Sequence, residues 1–308
     1  MDDGVVRLHD DEVPIDVDLV RRLIGRDLPD LSDEPIVRVV GSGTSNAMFR
    51  LGDRLSVRLP RHEASSTQVA REATSLPRLA PLLDVEVPVP VHVGGPGFGY
   101  PFPWLVARWV DGADDLAVAS SPGIDELALA DEVGRFVRSL RSAPVRGAPV
   151  AGKRGRSLAV HDEAVCAGVR VLAERGEVDH RRAIAVWEAA LAAEPWGLPP
   201  VWVHGDLLPG NLVLRSGRLA GVIDWSAAGL GDPACEAMLA WGWSRAARRR
   251  FGDAVGLDDA TWARGRGWAL EQAVAFIPYY EDSLPLAVAV AAARHRLAAV
   301  IGDDLPPP

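Results

Sequence analysis

The chain has 308 residues, 48% hydrophobic and 24% charged, enough to bury a large core and too long for one compact small domain, so two lobes are the default. A formal net charge of -9 argues against a nucleic-acid or anionic-membrane partner and tolerates a cationic one. Cys166 and Cys235 lie far apart and outside any Cys-x-x-Cys or Cys/His cluster, so they read as buried reduced thiols rather than a disulfide framework.

In chain order, residues 1–12 lack both the basic start and the apolar segment of a signal peptide. Residues 16–25 predict a helix, with Val17, Val20, Leu23 and Ile24 on one stripe and Gly25 stopping it. Residues 36–40, 47–51 and 54–59 are β-rich, separated by a polar run over 41–46 and a Gly52-Asp53 turn, which predicts strand, loop, strand, turn and strand. The small loop can bring backbone N–H groups, Gly43 included, close to phosphates, with the Thr44 or Ser45 hydroxyl as a further donor; an ordinary turn reads the same way. Alternation in 54–59 puts Leu55, Val57 and Leu59 on one face and Arg58 on the other. Residues 65–76 then predict a helix whose stripe of Val69, Ala73 and Leu76 carries Glu72 on its inner edge, and Arg58 is the natural partner, a surface pair being the alternative.

Residues 85–103 are too broken by Pro and Gly for a helix, and the apolar run over 104–112 reads as the last strand of the first lobe and a hinge. From about residue 111 the chain reads helical, with Leu129, Val133, Phe136, Val137 and Leu140 marking a buried helix. The loop over 141–156 bears Arg146, Lys153, Arg154 and Arg156; without interleaved aromatics in an acidic chain it is a solvated linker or a substrate-side loop. Helical patterns follow over 162–172 and 181–193, and Pro195, Pro199 and Pro200 announce the next strand.

That strand opens the most informative stretch, Val203-His204-Gly205-Asp206-Leu207-Leu208-Pro209-Gly210-Asn211, followed by Gly221-Val222-Ile223-Asp224-Trp225. Between the two runs lies a hairpin with a Ser216-Gly217 turn, whose simplest register sets Asn211 opposite Val222 and Asp224 just past the same open end. Asp206, Asn211 and Asp224 therefore converge as hard oxygen donors of the kind Mg²⁺ prefers, which suggests phosphoryl transfer. A binuclear metallophosphatase would want several His ligands, and His204 stands alone there. His-x-Asp, then Asn and, after a strand, a second Asp, in this order and spacing, is the arrangement of protein-kinase-like enzymes.

With its HGDLLPGN run, IDW where protein kinases carry Asp-Phe-Gly, and Gly231-Asp232-Pro233 behind, the chain resembles the aminoglycoside phosphotransferase family. The resemblance implies an α+β, two-lobed protein-kinase-like fold, with a small β-rich nucleotide-binding lobe over 1–110, a hinge near 107–112, and a larger helical catalytic lobe over 111–308. It implies ATP and Mg²⁺ as cofactors, Asp206 as the base, Asn211 and Asp224 as metal ligands, and His204 as a support of the catalytic loop with Asp232 as its hydrogen-bonding neighbour. It assigns the nucleotide to the loop with Gly43, Thr44 and Ser45, to Arg58 braced by Glu72, and to backbone groups of Arg108 and Val110 that read adenine. Arg58 departs from the usual kinase lysine and is similar to the macrolide-type branch; the only lysine of the chain is Lys153.

After Asp232 helices are predicted over 234–251, 259–276 and 285–301, leaving no room for a peptide-binding segment, so a small-molecule acceptor fits. The apolar run over 284–293 is broken by Arg294, His295 and Arg296 before it could span a bilayer, which points to a cytoplasmic protein. Glu236, Trp268 and Glu271 could hold a cationic or amino-bearing acceptor, though such aromatics more often pack in a core. The expected function is ATP- and Mg-dependent phosphorylation of a hydroxyl on an aminoglycoside-type or other amino-bearing antibiotic or metabolite, with no nucleic-acid, membrane or obligate protein partner. The alternatives are a macrolide or metabolite kinase of the same fold, or a nucleotide-binding module without catalysis.

Overall fold

The computed structural model describes residues 12–39, 45–114 and 124–302. The chain divides into two compact units, one of Met1–Ala80 with Val87–Val110, the other of Pro81–Glu86 with Asp111–Pro308.

In the first unit, helix α1 (Val17–Asp27) starts where the Asp16 carboxylate accepts the Leu19 N–H at 2.7 Å. It runs through Gly25 instead of stopping there, since a mid-helix glycine costs only about 1 kcal/mol and the stripe of Leu19, Val20, Leu23 and Ile24 is buried. Strands β1 (Ile36–Arg38), β2 (Asn46–Leu51) and β3 (Leu55–Pro60), helix α2 (Glu63–Leu79), and strands β4 (Pro90–Gly94) and β5 (Trp104–Arg108) follow. The strands make one antiparallel sheet in the order β1-β2-β3-β5-β4. Period-two alternation divides its faces: Ala47, Phe49, Leu51, Val57, Leu59, Trp104 and Val106 pack with α1, while Leu105 and Ala107 pack with Val69 of α2. Arg58 belongs to the face that carries α2.

The second unit begins with β6 (Ala113–Asp114), which pairs with β8, so residues 113–114 are strand where a helix was expected. Helices α3 (Glu126–Arg141), α4 (Asp162–Glu174) and α5 (His180–Ala192) lead to β7 (Val201–Val203), the ribbon β8 (Leu212–Arg215) and β9 (Arg218–Val222), and β10 (Gly229–Gly231), which pairs with β7. The predicted register holds beside the turn, where Arg215 faces Arg218 and Leu214 faces Leu219, and then slips. Beyond a bulge Leu212 faces Val222, so Asn211 sits across from Ile223 rather than Val222, and the Ile223 N–H donates to the Asn211 carbonyl at 2.9 Å. The cause lies outside the hairpin. Glu86 bonds the Ala220 carbonyl and the Val222 N–H, both at 2.9 Å, which draws β9 out of simple pairing and ties the 81–86 segment to this unit.

The expected helix over 234–251 is two pieces, a 3₁₀ stretch over Pro233–Gly242 and α6 (Arg245–Val255). Ser244 breaks the run because its hydroxyl caps the new helix, accepting the Ala247 N–H at 3.3 Å. Helices α7 (Asp259–Tyr280) and α8 (Ala287–Gly302) complete the unit. Residues Leu284–Gly302 are, by length and composition alone, apolar enough to cross a membrane, although Arg296 within them is buried and Val290, Ala293, Leu297 and Val300 are core residues.

Candidate active site

Strand β7 brings the chain to His204, whose ring is fully buried against Trp225 at 4.9 Å between centroids. Its Nε2 lies 3.0 Å from the Ile223 carbonyl and its Nδ1 takes the Asp206 N–H at 3.3 Å. A carbonyl only accepts, so the proton is on Nε2 and the ring clamps the 204–211 loop to the segment before Asp224. Asp232, expected as the partner of His204, instead caps Ala234 at 2.9 Å and pairs with Arg264, whose Nε is 2.8 Å away. The ring has no need of a carboxylate once the Ile223 carbonyl is in reach.

Gly205 has φ of 78°, and a Cβ there would stand 3.0 Å from the Ala227 carbonyl, so the turn into Asp206 requires glycine. Asp206 follows, and its carbonyl accepts Asn211 Nδ2–H at 2.7 Å. That bond commits the amide nitrogen of Asn211 and leaves its Oδ1 as the oxygen donor. Asp224 adopts φ of 59°, a left-handed conformation unusual for a residue with a side chain, directly after the Ile223 to Asn211 bond. The loop and the ribbon end are thus joined by backbone and amide bonds that hold Asp206, Asn211 and Asp224 in one neighbourhood.

Among the described residues no group of three or more His, Cys, Asp or Glu gathers as a metal cage. Two oxygen donors, Asn211 and Asp224, suit Mg²⁺, which binds through one or two protein ligands and takes water and phosphate oxygens for the rest.

The basic loop is part of this site. Its backbone is laced to the chain beyond Asp224: Gly152 N–H donates to Ala227 at 2.8 Å, Ala151 N–H to Leu230 at 3.0 Å, and Asp232 N–H to Gly155 at 2.9 Å. The approach is so close that a Cβ on Gly231 would lie 2.5 Å from the Gly155 carbonyl. So held, Arg154 Nη1 pairs with Asp206 Oδ1 and its Nε reaches Glu271 at 3.3 Å. Lys153 Nζ is 3.1 Å from Glu271 and His161 Nδ1 is 3.5 Å from it. Burial pushes the Glu271 carboxyl up, but the opposed charges of Arg154 and Lys153 outweigh it and hold its pKa below the ordinary glutamate value. From the sequence this loop reads as a solvated linker or a substrate-side loop; a concentration of cations, holding the sole lysine, inside an acidic chain is the signal for the second reading.

The residues expected to face the acceptor behave differently from one another. Trp268 is fully buried, and Glu236, 1% exposed, uses Oε1 to accept the Gly205 N–H at 2.9 Å. These are corrections: Glu236 props the catalytic turn from inside, where burial raises its pKa, and Trp268 packs against His161 with ring centroids 5.2 Å apart. Glu271, from α7, is buried as well, and bonds Arg154, which in turn pairs with Asp206.

In the first unit Arg58 Nη1 meets Glu72 Oε2 at 2.5 Å with both side chains buried. Gly43 and Thr44 lie outside the described residues, while Ser45 accepts the Arg61 N–H through its carbonyl at 3.0 Å. At the end of β5 the Arg108 N–H is committed to Val89 and the Trp109 N–H to Arg54, at 2.9 and 2.8 Å, and Val110 is buried.

Residues 36–268 match the model of the phosphotransferase enzyme family. The chain belongs to that family. Among solved structures, this phosphotransferase is similar to the GDP complex of wild-type aminoglycoside 2'-phosphotransferase-IIIa, at 17% identity and a TM-score of 0.67, with 93% of this chain and 99% of the other covered. It is also similar to macrolide 2'-phosphotransferase MphH from Brachybacterium faecium, at 23% identity and a TM-score of 0.57, covering 94% and 100%. These likenesses establish the kinase-like fold. An aminoglycoside 3'-phosphotransferase of Escherichia coli is 28% identical over 142 residues, 45% of this chain, and the match spans about half (51%) of that relative's length.

Proposed function

We propose that this phosphotransferase moves the γ-phosphoryl group of ATP, with Mg²⁺, onto a hydroxyl of a small molecule, and does so in the cytoplasm. The observation that carries the reading is the bonded unit of Asp206, Asn211 and Asp224, in which the Asn211 amide holds the Asp206 carbonyl at 2.7 Å and the Ile223 N–H holds Asn211 at 2.9 Å. Family membership and the GDP and ADP complexes of structural neighbours support nucleotide use.

Asn211 and Asp224 would hold the metal, which when bound neutralises phosphate charge. Asp206 orients the acceptor hydroxyl and takes its proton. Phosphoryl transfer has a loose transition state, so positioning and charge neutralisation supply more of the acceleration than proton removal. Arg154, fixed on Asp206 and Glu271, keeps the base from turning away. In the first unit the segment with Gly43, Thr44 and Ser45, the Arg58 fork braced by Glu72, and the backbone of Arg108 and Val110 serve the nucleotide.

Two acceptor classes remain in play. Neighbours solved with kanamycin, gentamicin and streptomycin favour an amino-bearing compound, whereas the arrangement of charge around Asp206 favours another class, argued below. The test of the function itself is incubation with Mg-ATP and a pooled library of hydroxyl compounds, antibiotics and sugar acids included, read by mass spectrometry. A phosphate-sized gain on one component is expected; stabilisation by Mg-ATP with no product across the library would favour a binding module instead.

A further inference from the structure

The proposed base lies beside a cluster of charged side chains. Lys153 and Arg154 gather on Glu271 together with His161, whose ring burial keeps neutral, and Arg154 is shared with Asp206, so the two cations balance the two carboxylates. An amine entering as substrate would have to compete with Arg154 for both carboxylates and would add like charge to the cluster.

Arg296 of α8 tips that balance to positive. It is 3% exposed, donates from Nη2 to the neutral Gln272 amide, and its Nε is buried with no hydrogen-bond partner. Burial, with the repulsion of Arg154, lowers its pKa to about 10, although Asp206 pulls the other way. Among the described residues Arg296 pairs with no carboxylate, and a buried guanidinium so placed is one that an incoming anion would help to satisfy. The means to receive one are present. Arg154 commits Nη1 to Asp206 and Nε to Glu271, leaving Nη2 with no bond to a described residue, and the Lys153 side chain is 63% exposed.

Resting on the phosphotransfer reading, we propose that the acceptor carries an anionic group, a carboxylate or a phosphate, which docks on Lys153 and Arg154 in the field of Arg296 and sets the hydroxyl at Asp206. Lys153 and Arg154 are then the residues that select the acceptor, and Glu271 holds them in place.

The test uses protein loaded with Mg²⁺ and a non-hydrolysable ATP analogue, the loading being measured first. Gluconate, a hexose phosphate, glucose and glucosamine are then titrated calorimetrically. One of the two anions should bind at least roughly tenfold more tightly than glucose or glucosamine, the scale of one hydrogen bond between charged groups. Which anion binds separates carboxylate from phosphate. Lys153→Ala, a change at an exposed side chain that leaves packing intact, should remove most of that preference, and Arg296→Gln, which takes away only the field of a buried guanidinium, should reduce it by a smaller factor. Equal binding of anion and neutral sugar, preference for glucosamine, no anion binding to the loaded protein, or an anion affinity unchanged in both variants overturns the inference. Failure to load Mg²⁺ and analogue overturns the phosphotransfer reading, and this inference with it.

Discussion

Arg58 and Glu72 of the first unit form a closed pair, guanidinium to carboxylate at 2.5 Å and both buried, whereas in the second unit Glu271 gathers Lys153, Arg154 and His161 and shares Arg154 with Asp206. A buried pair returns little net stability after desolvation, so the first arrangement matters for where it holds a cation. The second is open: its cations are shared between two carboxylates, and Lys153 faces solvent. The difference separates a buried brace from a group of charges that reaches solvent. It also says where a substitution should act on rate and where on stability.

The largest effect belongs to the open cluster. Asp206→Ala should lower turnover on the order of 10²–10⁴-fold, the usual range for general acid-base help, while nucleotide still binds. Unchanged steady-state turnover would remove Asp206 from the chemistry. In the first-unit pair the loss should appear in stability as well as in nucleotide binding: Arg58→Met leaves Glu72 buried without its guanidinium and should cost about 3–5 kcal/mol in denaturant melts. Restoring size without charge, as Arg58→Met with Glu72→Leu, should recover much of that. If the single and double variants melt alike, the pair is not a brace.

A smaller effect contrasts Glu236 with Glu271, two buried glutamates whose pKa values move in opposite directions. Burial raises Glu236, so the folded state binds its proton more tightly than the unfolded chain does, and the resulting stability is present below about pH 4.5 and lost as pH rises through the raised value. Glu236→Gln keeps an oxygen for the Gly205 N–H and has no proton to lose. Thermal melts across about pH 4 to 8 should therefore show a flatter profile for the variant than for the wild type. Parallel profiles would mean that Glu236 is not the group involved.

Local patterns were legible in the sequence and distant ones were not. Alternation in 54–59 sufficed to set Arg58 apart from Val57 and Leu59, because a strand's two faces are written in adjacent residues. The slip at Ala220 was hidden, since Glu86, far back in the chain, imposes it on a hairpin whose own turn favours simple pairing. The break at Ser244 was masked by the run of apolar residues from Ala237 to Trp241, which continues the helical pattern up to the cap. Arg154 meets carboxylates 52 and 117 positions away, a distance at which spacing says nothing. The expected His204 and Asp232 contact failed for a related reason: motif order places residues in one neighbourhood without fixing which atoms bond.

In the proposed reaction, labour at the site is divided between Asp206, which would act on the acceptor, and Asp224, which with Asn211 would hold the metal and nucleotide. Calorimetric titration of Mg-ATP into Asp206→Ala and Asp224→Ala tests that division directly. Near wild-type affinity in Asp206→Ala and none detectable in Asp224→Ala is the predicted result; full affinity in Asp224→Ala would contradict it.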